Sequence, residues 1–479
     1  MNRRKFLQRS AALMGAMCLD WPAFAEQTAR LGKPNVRIGI ISDIHIRHMD
    51  SVKTLHHTFE YFDQAGVDGV IIAGDMADWG FYSQLQLVAE TWYDVFPQDR
   101  GSDGRHVEKL FVYGNHDREG YTYGNARGVK VTKEMIEEEA IWPRKEKVWQ
   151  ELFHEKWTPI YIKDVKGYKF IGGHWDSWKD IRGLAEYLEK VEGELPKGGR
   201  PFFYFQHFHP KNTCSGPWVW GQGGGNVTKA LSKYPNCVCF SGHSHTSLTD
   251  ERTIWQGAFT SVGTASLSYI SLWGGRENSS APWTPQMKRI GTGNGKHGQI
   301  MSVYDDCITL ERREFVYDQP LGDNWIIPLP LGGQDKPFVF DTRRKNVKTP
   351  QFAASDRVTV TRAMGKDVKG QEQDQITLHF PSVLKKTHGA RAFDYEIQAE
   401  VMDIDTTKVA LTKRVYSKGY FLGEAQDGDE VTCVFSRAEL PANRKIRFAV
   451  RPVESFGKKG DPIYTEWTLY KDRKEGYTL

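Results

Sequence analysis

Five short clusters rich in Asp, Asn, His and Gly each follow directly on an apolar run. Asp43-Ile44-His45 follows residues 36–42 (VRIGIIS), and Gly74-Asp75 follows 67–73 (VDGVIIA). Gly114-Asn115-His116-Asp117 follows 107–113 (VEKLFVY). His207 follows Phe202–Gln206 (FFYFQ), and Gly242-His243-Ser244-His245 follows 238–241 (VCFS). Short β-branched and aromatic runs of this kind read as buried strands. Helical spacing over 52–65, 82–95 and 184–191 alternates with them, and two more strands are read at 160–162 and 168–172. The alternation predicts an α/β sheet with helices on both faces, a fold that places its chemistry at strand ends. Residues 118–159 read as a helical insertion whose charge runs are solvated faces, and 300–316 as a hairpin turning at Asp305-Asp306.

Carboxylates, imidazoles and an amide oxygen gathered at strand ends suit borderline divalent metals such as Mn, Fe or Zn. Two such ions can clamp the attacking and leaving oxygens of a phosphoryl displacement. The glycines before Asp75, Asn115 and His243 let the chain turn sharply against the site.

The ordered set Asp-x-His, Gly-Asp, Gly-Asn-His-Asp, His, Gly-His-x-His resembles the calcineurin-like metallophosphoesterases over roughly residues 36–316. The resemblance implies a four-layer αββα sandwich, with two mixed sheets between helices, and a hydrolase of phosphate monoesters or diesters. It implies two divalent ions: Asp43, His45 and His245 on the first, Asp75 bridging, and Asn115, His207 and His243 on the second. A hydroxide between the metals would attack phosphorus. His116 would be the general acid or stabilise phosphoryl charge, and Asp117 would orient it or cap the following turn. His209 and His174 lie near the motifs, as substrate contacts or as structural histidines. Trp218 and Trp220, in a Gly-rich loop between the fourth and fifth motifs, would stack on substrate or pack the loop down. Gly263-Thr264-Ala265-Ser266 lines the site or is an ordinary turn. The sequence departs from the purple acid phosphatase branch, which places a Tyr ligand three residues after the bridging Asp; Asp78 stands there, so no tyrosinate colour is expected. The competing reading is a non-catalytic binding or adhesion protein on the same fold, but every ligand position and His116 is present.

The first 25 residues carry a basic head (Arg3, Arg4, Lys5, Arg9), a short apolar run and an Ala23-Phe24-Ala25 site. This is the layout of an export signal, and Arg3-Arg4-Lys5-Phe6-Leu7 resembles the twin-arginine type. The twin-arginine export machinery would be a transient partner and the location periplasmic or otherwise exported. No stretch is long and apolar enough for a membrane span. The segment carries four positive charges against Asp20, so without it the formal charge of +4 falls to +1. That leaves no basic excess pointing to nucleic acid. Five cysteines remain beyond it, read as buried small apolar residues with one disulfide possible.

The 479 residues are long enough for two or more domains. The catalytic domain is expected over 36–318, a Gly/Pro-rich linker over 319–340, and an all-β sandwich over 341–479. The run 440–453 (LPANRKIRFAVRPV) followed by Phe456-Gly457 resembles the late hairpin of a fibronectin type III domain, of the Ig-like sandwich class.

Overall fold

The computed structural model describes residues 32–472, apart from 128–129, 140–144, 177–179, 218, 272–290, 293–294, 368, 384–389, 405, 418–419 and 422–429. The export-signal reading of residues 1–25 and the Trp218 reading lie outside the described residues.

The strands in chain order begin β1 (Val36–Ile41), β2 (Gly69–Ala73), β3 (Glu108–Val112), β4 (Ile160–Val165), β5 (Tyr168–Gly173), β6 (Phe202–Gln206) and β7 (Cys237–Ser241). They continue with β8 (Ile254–Gln256), β9 (Thr260–Gly263), the short pair β10 (Ile270–Ser271) and β11 (Gly291–Thr292), then β12 (His297–Val303) and β13 (Cys307–Glu314). These strands form two large sheets. One runs β14-β13-β12-β1-β2-β3, where β14 is Gln319–Pro320, and β15 (Trp325–Pro328) also pairs with β13. The other runs β4-β5-β6-β7-β9-β8. Both are mixed: β1-β2-β3 and β5-β6-β7-β9 are parallel, and their edges are antiparallel.

Three apolar layers hold the sheets. Val36, Ile38 and Ile40 of β1 face Phe203 and Phe205 of β6 in the core between them. On the outer face of the first sheet, α1 (Met49–Ala65) and α2 (Tyr82–Val95) bury Leu55, Phe59, Leu85 and Trp92 against Ile41 and Ile72. α1 stops at Gly66, whose left-handed backbone (φ 72°) turns its N–H onto the carbonyls of Phe62 and Asp63. On the far side of the second sheet, α6 (Leu184–Lys190) and α7 (Asn226–Leu231) pack on Ile171, Phe202 and Tyr204. The result is helix, sheet, sheet, helix. Between β3 and β4 the insertion forms three short helices, α3 (Asn115–Glu119), α4 (Lys133–Glu139) and α5 (Lys145–Phe153).

Residues 319–340, expected as a linker, are instead built into the catalytic domain. β14 and β15 extend its first sheet, and Leu321, Trp325, Ile327, Leu331 and Phe338 join the core between the sheets. The Gly and Pro residues there mark turns between short strands, not a free connection. The helix α8 (Phe340–Asn346) follows.

The C-terminal region is β-rich. β16 (Thr359–Lys366), β17 (Glu372–Pro381) and β20 (Glu430–Ser436) form one antiparallel sheet. β18 (Asp394–Met402), β19 (Thr407–Tyr416), β21 (Lys445–Val453), β22 (Ile463–Tyr464) and β23 (Thr468–Leu469) form the other. Alternate residues of both, including Ile376, Leu378, Val431, Phe435, Ile397 and Phe448, share one core. The region is seated on the catalytic domain: Phe421 joins the inter-sheet core, His297 Nε2 donates to the Phe421 carbonyl at 2.8 Å, and Arg252 lies 4.7 Å from the Phe393 ring. The five described cysteines are buried and unpaired, so none of them forms a disulfide within the chain.

Candidate metal centre

The C-terminal ends of β1, β2, β3, β6 and β7 converge, and each delivers its motif to one place. The two sheets alternate in supplying donors: Asp43, His45, Asp75 and Asn115 come from the first, His207, His243 and His245 from the second. The backbone is bent hard to do this. Asp43, His45, Asp75, His243 and His245 all have positive φ, between 46° and 72°. Asp and His are among the few non-glycine types that visit this left-handed region, at a cost that clusters at functional sites. Close approach explains two of the glycines: a Cβ on Gly114 would overlap the Asp75 carboxylate, and one on Gly242 the Asp43 carboxylate.

Two donor clusters result. Asp43, His45 and His245 each place a ligand atom within 4.8 Å of the others, and so do Asp75, His207 and His243. In the first, His245 Nε2 is 3.0 Å from Asp43 Oδ1 and 3.3 Å from His45 Nε2. In the second, His207 Nε2 is 3.1 Å from Asp75 Oδ2 and from His243 Nδ1. His45 Nε2 lies 3.7 Å from Asp75 Oδ2, so Asp75 adjoins both clusters. Asn115 Oδ1 and His243 Nε2 are buried with no hydrogen-bond partner. Facing imidazole nitrogens and an orphaned amide oxygen among carboxylates fit a pair of divalent cations. A third group, His45, Asp78 and His116, shares His45 with the first.

The charges respond to this crowding. Burial works against ionising Asp75, yet His207 and His116 hold its carboxyl well below the usual range. Asp43 is lowered in the same way, with His245 and His207 outweighing burial. Burial and the neighbouring His116 push His45 down to about 4, which leaves it a neutral ligand. Burial, then His207, pushes His243 well down. Burial opposes a proton on His207, but Asp75 and Asp43 raise it.

The outer contacts fix which nitrogen faces inward. His45 Nδ1 donates to Asp78 Oδ1 at 3.1 Å, His207 Nδ1 to the Ala73 carbonyl at 2.9 Å, and His245 Nδ1 to the Tyr269 carbonyl at 2.9 Å. Each leaves Nε2 for the centre. Asp78 also accepts from Arg47 Nη1 at 3.3 Å. Sequence reading noticed Asp78 only as a missing tyrosine. Its spacing from Asp75 was the available signal.

His116 stands beside the clusters, with its side chain 12% exposed and its ring 4.5 Å from that of His45. Its N–H donates to Asp75 Oδ1 at 2.9 Å, and Nδ1 donates to the Asp78 carbonyl at 2.7 Å. Asp117 does not orient it. Both Asp117 oxygens are taken by backbone, Oδ1 by Ala77 N–H at 2.7 Å and Oδ2 by Gly114 N–H at 2.8 Å. Asp117 therefore caps α3 and ties the second motif loop to the third. Burial, with Asp75 adding, raises its carboxyl to about 7.

Two other candidates are structural. His209 is buried between Ser241 Oγ, 2.8 Å from Nδ1, and Ser244 Oγ, 2.5 Å from Nε2, and burial pushes it down to about 4. With both nitrogens engaged it has nothing to offer a substrate. His174 is buried among Trp149, Trp157 and Tyr161; its Nδ1 accepts from Tyr113 N–H at 3.0 Å, and burial lowers it to about 3. Trp220 does reach the centre. Its ring stacks on His243 at 4.5 Å while 51% of the residue stays exposed, and Phe208 covers the ring too, at 3.8 Å. Tyr269, which sequence reading missed, packs 4.2 Å from His245. Ala265 and Ser266 back the centre: the Ala265 carbonyl accepts from Ser42 Oγ, and Ser266 Oγ donates to the Asp43 carbonyl.

Comparison with known proteins agrees with this geometry. Residues 36–247 match the family model of the calcineurin-like phosphoesterases. No curated protein matches the sequence. Among solved structures, a dimetal phosphatase from Danio rerio is 10% identical with a TM-score of 0.35, covering 62% of this chain and 99% of its own. A purple acid phosphatase from yellow lupin (Lupinus luteus) seeds is 15% identical with a TM-score of 0.42, covering 62% of this chain and 55% of its own. An inner-membrane-complex anchor protein of Plasmodium is 8% identical with a TM-score of 0.39, covering 64% of this chain and 90% of its own. Likenesses this distant carry no argument about activity; the family match and the donor geometry do. The chain carries a calcineurin-like phosphoesterase domain over residues 36–247 and is a phosphoesterase hydrolase with the dinuclear kind of metal centre typical of that family.

Proposed function

We propose that the chain is an exported hydrolase of phosphate monoesters or diesters in which His116 protonates the leaving oxygen. Asp43, His45 and His245 would hold one ion, and Asn115, His207 and His243 the other, with Asp75 shared. When bound, two such ions supply Lewis acidity at the phosphoryl oxygens and lower the pKa of water.

The chain's own residues do the rest. Asp78 and the carbonyls of Ala73 and Tyr269 keep three imidazoles in the tautomer that offers Nε2 inward. The Asp78 carbonyl accepts a hydrogen bond from His116 Nδ1–H, which leaves Nε2 as the nitrogen that would deliver a proton. The exposed Trp220 ring, stacked on His243, and the Tyr269 ring, packed on His245, would offer apolar contacts to the group attached to the phosphate. The observation that carries the reading is the placement of His116: partly exposed, tied through its backbone to Asp75 and through Nδ1 to the next loop.

Export rests on the paired arginines and apolar run of residues 1–25. A fibronectin type III-like character for the C-terminal region rests on the hairpin pattern of 440–453, and its proposed role is to brace the catalytic domain. The test is a panel of phosphate monoesters and diesters with Mn, Fe, Zn and Mg, run alongside metal analysis of the purified protein. Metal-dependent turnover is expected. A protein that retains two ions and cleaves no ester would favour the binding-protein reading.

A further inference from the structure

Lys145 opens α5 in the insertion and is 1% exposed. A buried ammonium is costly unless its donors are satisfied. Here Nζ donates to two main-chain carbonyls, that of Gly80 at 3.0 Å and that of Asp117. It also lies 5.6 Å from the centre of the Tyr113 ring, whose hydroxyl donates back to the Lys145 carbonyl at 3.3 Å.

The two carbonyls belong to different motif loops. Gly80 ends the loop after β2, which carries Asp75 and Asp78; Asp117 follows His116 in the loop after β3. These loops touch so closely that a Cβ on Gly80 would collide with the carbonyls of His116 and Asp117. His116 is suspended between them, its N–H on Asp75 and its Nδ1 on the Asp78 carbonyl. Its ring direction therefore depends on how the two loops sit against each other. Lys145, from outside both loops, bonds to each.

We propose that Lys145 is a positioning residue for the proton donor: the insertion reaches in with one buried cation and fixes the spacing of the two loops that aim His116. The inference rests on the reading of His116 as general acid. It gives the insertion a task in the reaction beyond covering the sheet.

The test uses Lys145→Met and Lys145→Gln in the full metal-loaded chain, with His116→Ala as reference. Metal content and kcat are measured on aryl and alkyl phosphate esters of rising leaving-group pKa. A nitrophenolate leaves without help; an alkoxide needs the proton. Lys145→Met is expected to keep its metals and most nitrophenyl turnover while losing roughly 10²-fold on alkyl esters, since a small misplacement of a catalytic group can cost that much. Equal loss on every ester, or none, would overturn the proposal. If Lys145→Met does not fold, Lys145→Gln, which can still bond one carbonyl, is expected to show the same selectivity at smaller scale; uniform loss there overturns it equally. A His116→Ala protein without leaving-group selectivity would sink the general-acid reading itself. Selectivity in His116→Ala but not in the Lys145 variants would sink only the Lys145 inference. As a readout independent of turnover, the His116 Nδ1 proton should exchange with water faster in Lys145→Gln than in the parent.

Discussion

The catalytic domain and the C-terminal region are both built on β-strands, but they end them differently. In the catalytic domain β1, β2 and β7 break into left-handed Asp and His residues. In the C-terminal region β16 to β21 run seven to ten residues in antiparallel register, with one irregularity at Ala399/Glu400. Among its described residues only Asn443, in the connection before β21, is a non-glycine with positive φ. No donor group of the metal-holding kind occurs among the described residues there. Five of the left-handed residues of the catalytic domain are donors of the candidate metal centre, whereas the C-terminal region has a single one among its described residues. Changes in one region should cost turnover, and changes in the other should cost stability.

The largest effect is expected from Asp75→Asn. Asn tolerates the left-handed backbone but removes the charge shared by both clusters. Metal analysis should find both ions lost and turnover abolished, with circular dichroism unchanged; two tightly held ions would refute the shared role. Next is His116→Ala, which should keep both ions and lose about 10²–10⁴-fold in turnover of poor leaving groups. Asp78→Ala should lower metal affinity by about 10–100-fold, as expected for a residue that orients a ligand. A titration showing parent-like affinity would remove Asp78 from the site. Arg414→Met is the opposite experiment. Arg414 is buried in the C-terminal region with its Nε 2.6 Å from buried Asp394, and breaking that buried ion pair by removing the cation should cost about 3–5 kcal/mol. Chemical denaturation should report this loss while kcat per folded molecule stays constant. A change in kcat would mean the two regions are not separable in this way.

The smallest effect concerns their junction. Glu251 is 38% exposed; it accepts from Arg312 at 2.9 Å, from Trp325 Nε1 at 3.0 Å, and from Arg343 of α8. Burial would raise its carboxyl, but Arg312 and Arg343 overcome this and hold it down to about 2. A depressed carboxylate contributes its stability above the unfolded value of about 4.3 and loses it as pH falls towards the folded one. Partial exposure limits the contribution to about 1 kcal/mol or less. The melting-temperature gap between the parent and Glu251→Gln should therefore be constant from pH 7 to 5 and shrink below about 4.3. A gap that widened in acid would contradict the assignment.

Much of this was legible in the chain. Helix 82–95, strand 202–206 and the hairpin at 305–306 follow from local periodicity, and the five motifs mark their own strand ends. The division into two sheets was not legible from periodicity alone, because β1 to β3 and β5 to β7 present similar runs buried on both faces. Which partner a strand takes is a non-local matter. The strand at Trp325–Pro328 was hidden by the Gly and Pro residues around it. Lys145 lay in a charge run that reads as solvated, since helical spacing does not say which lysine points inward. Asp117 beside His116 looked like its orienter, yet its oxygens were claimed by the nearer backbone amides of Ala77 and Gly114. The work of orienting fell to a carbonyl, which no side-chain motif records.

The left-handed residues have a consequence for how this centre can change. Asp43, His45 and His245 are all locked into a conformation that Glu or Cys would enter only at about 1–2 kcal/mol each. Asn115 and His207 have ordinary backbone and carry no such restriction. The two halves of the centre are therefore unequal in evolvability. Every unshared donor of the first half is confined to a few residue types, whereas in the second half His243 is so confined and Asn115 and His207 are not, so a drift in metal preference, natural or engineered, should begin at Asn115 and His207.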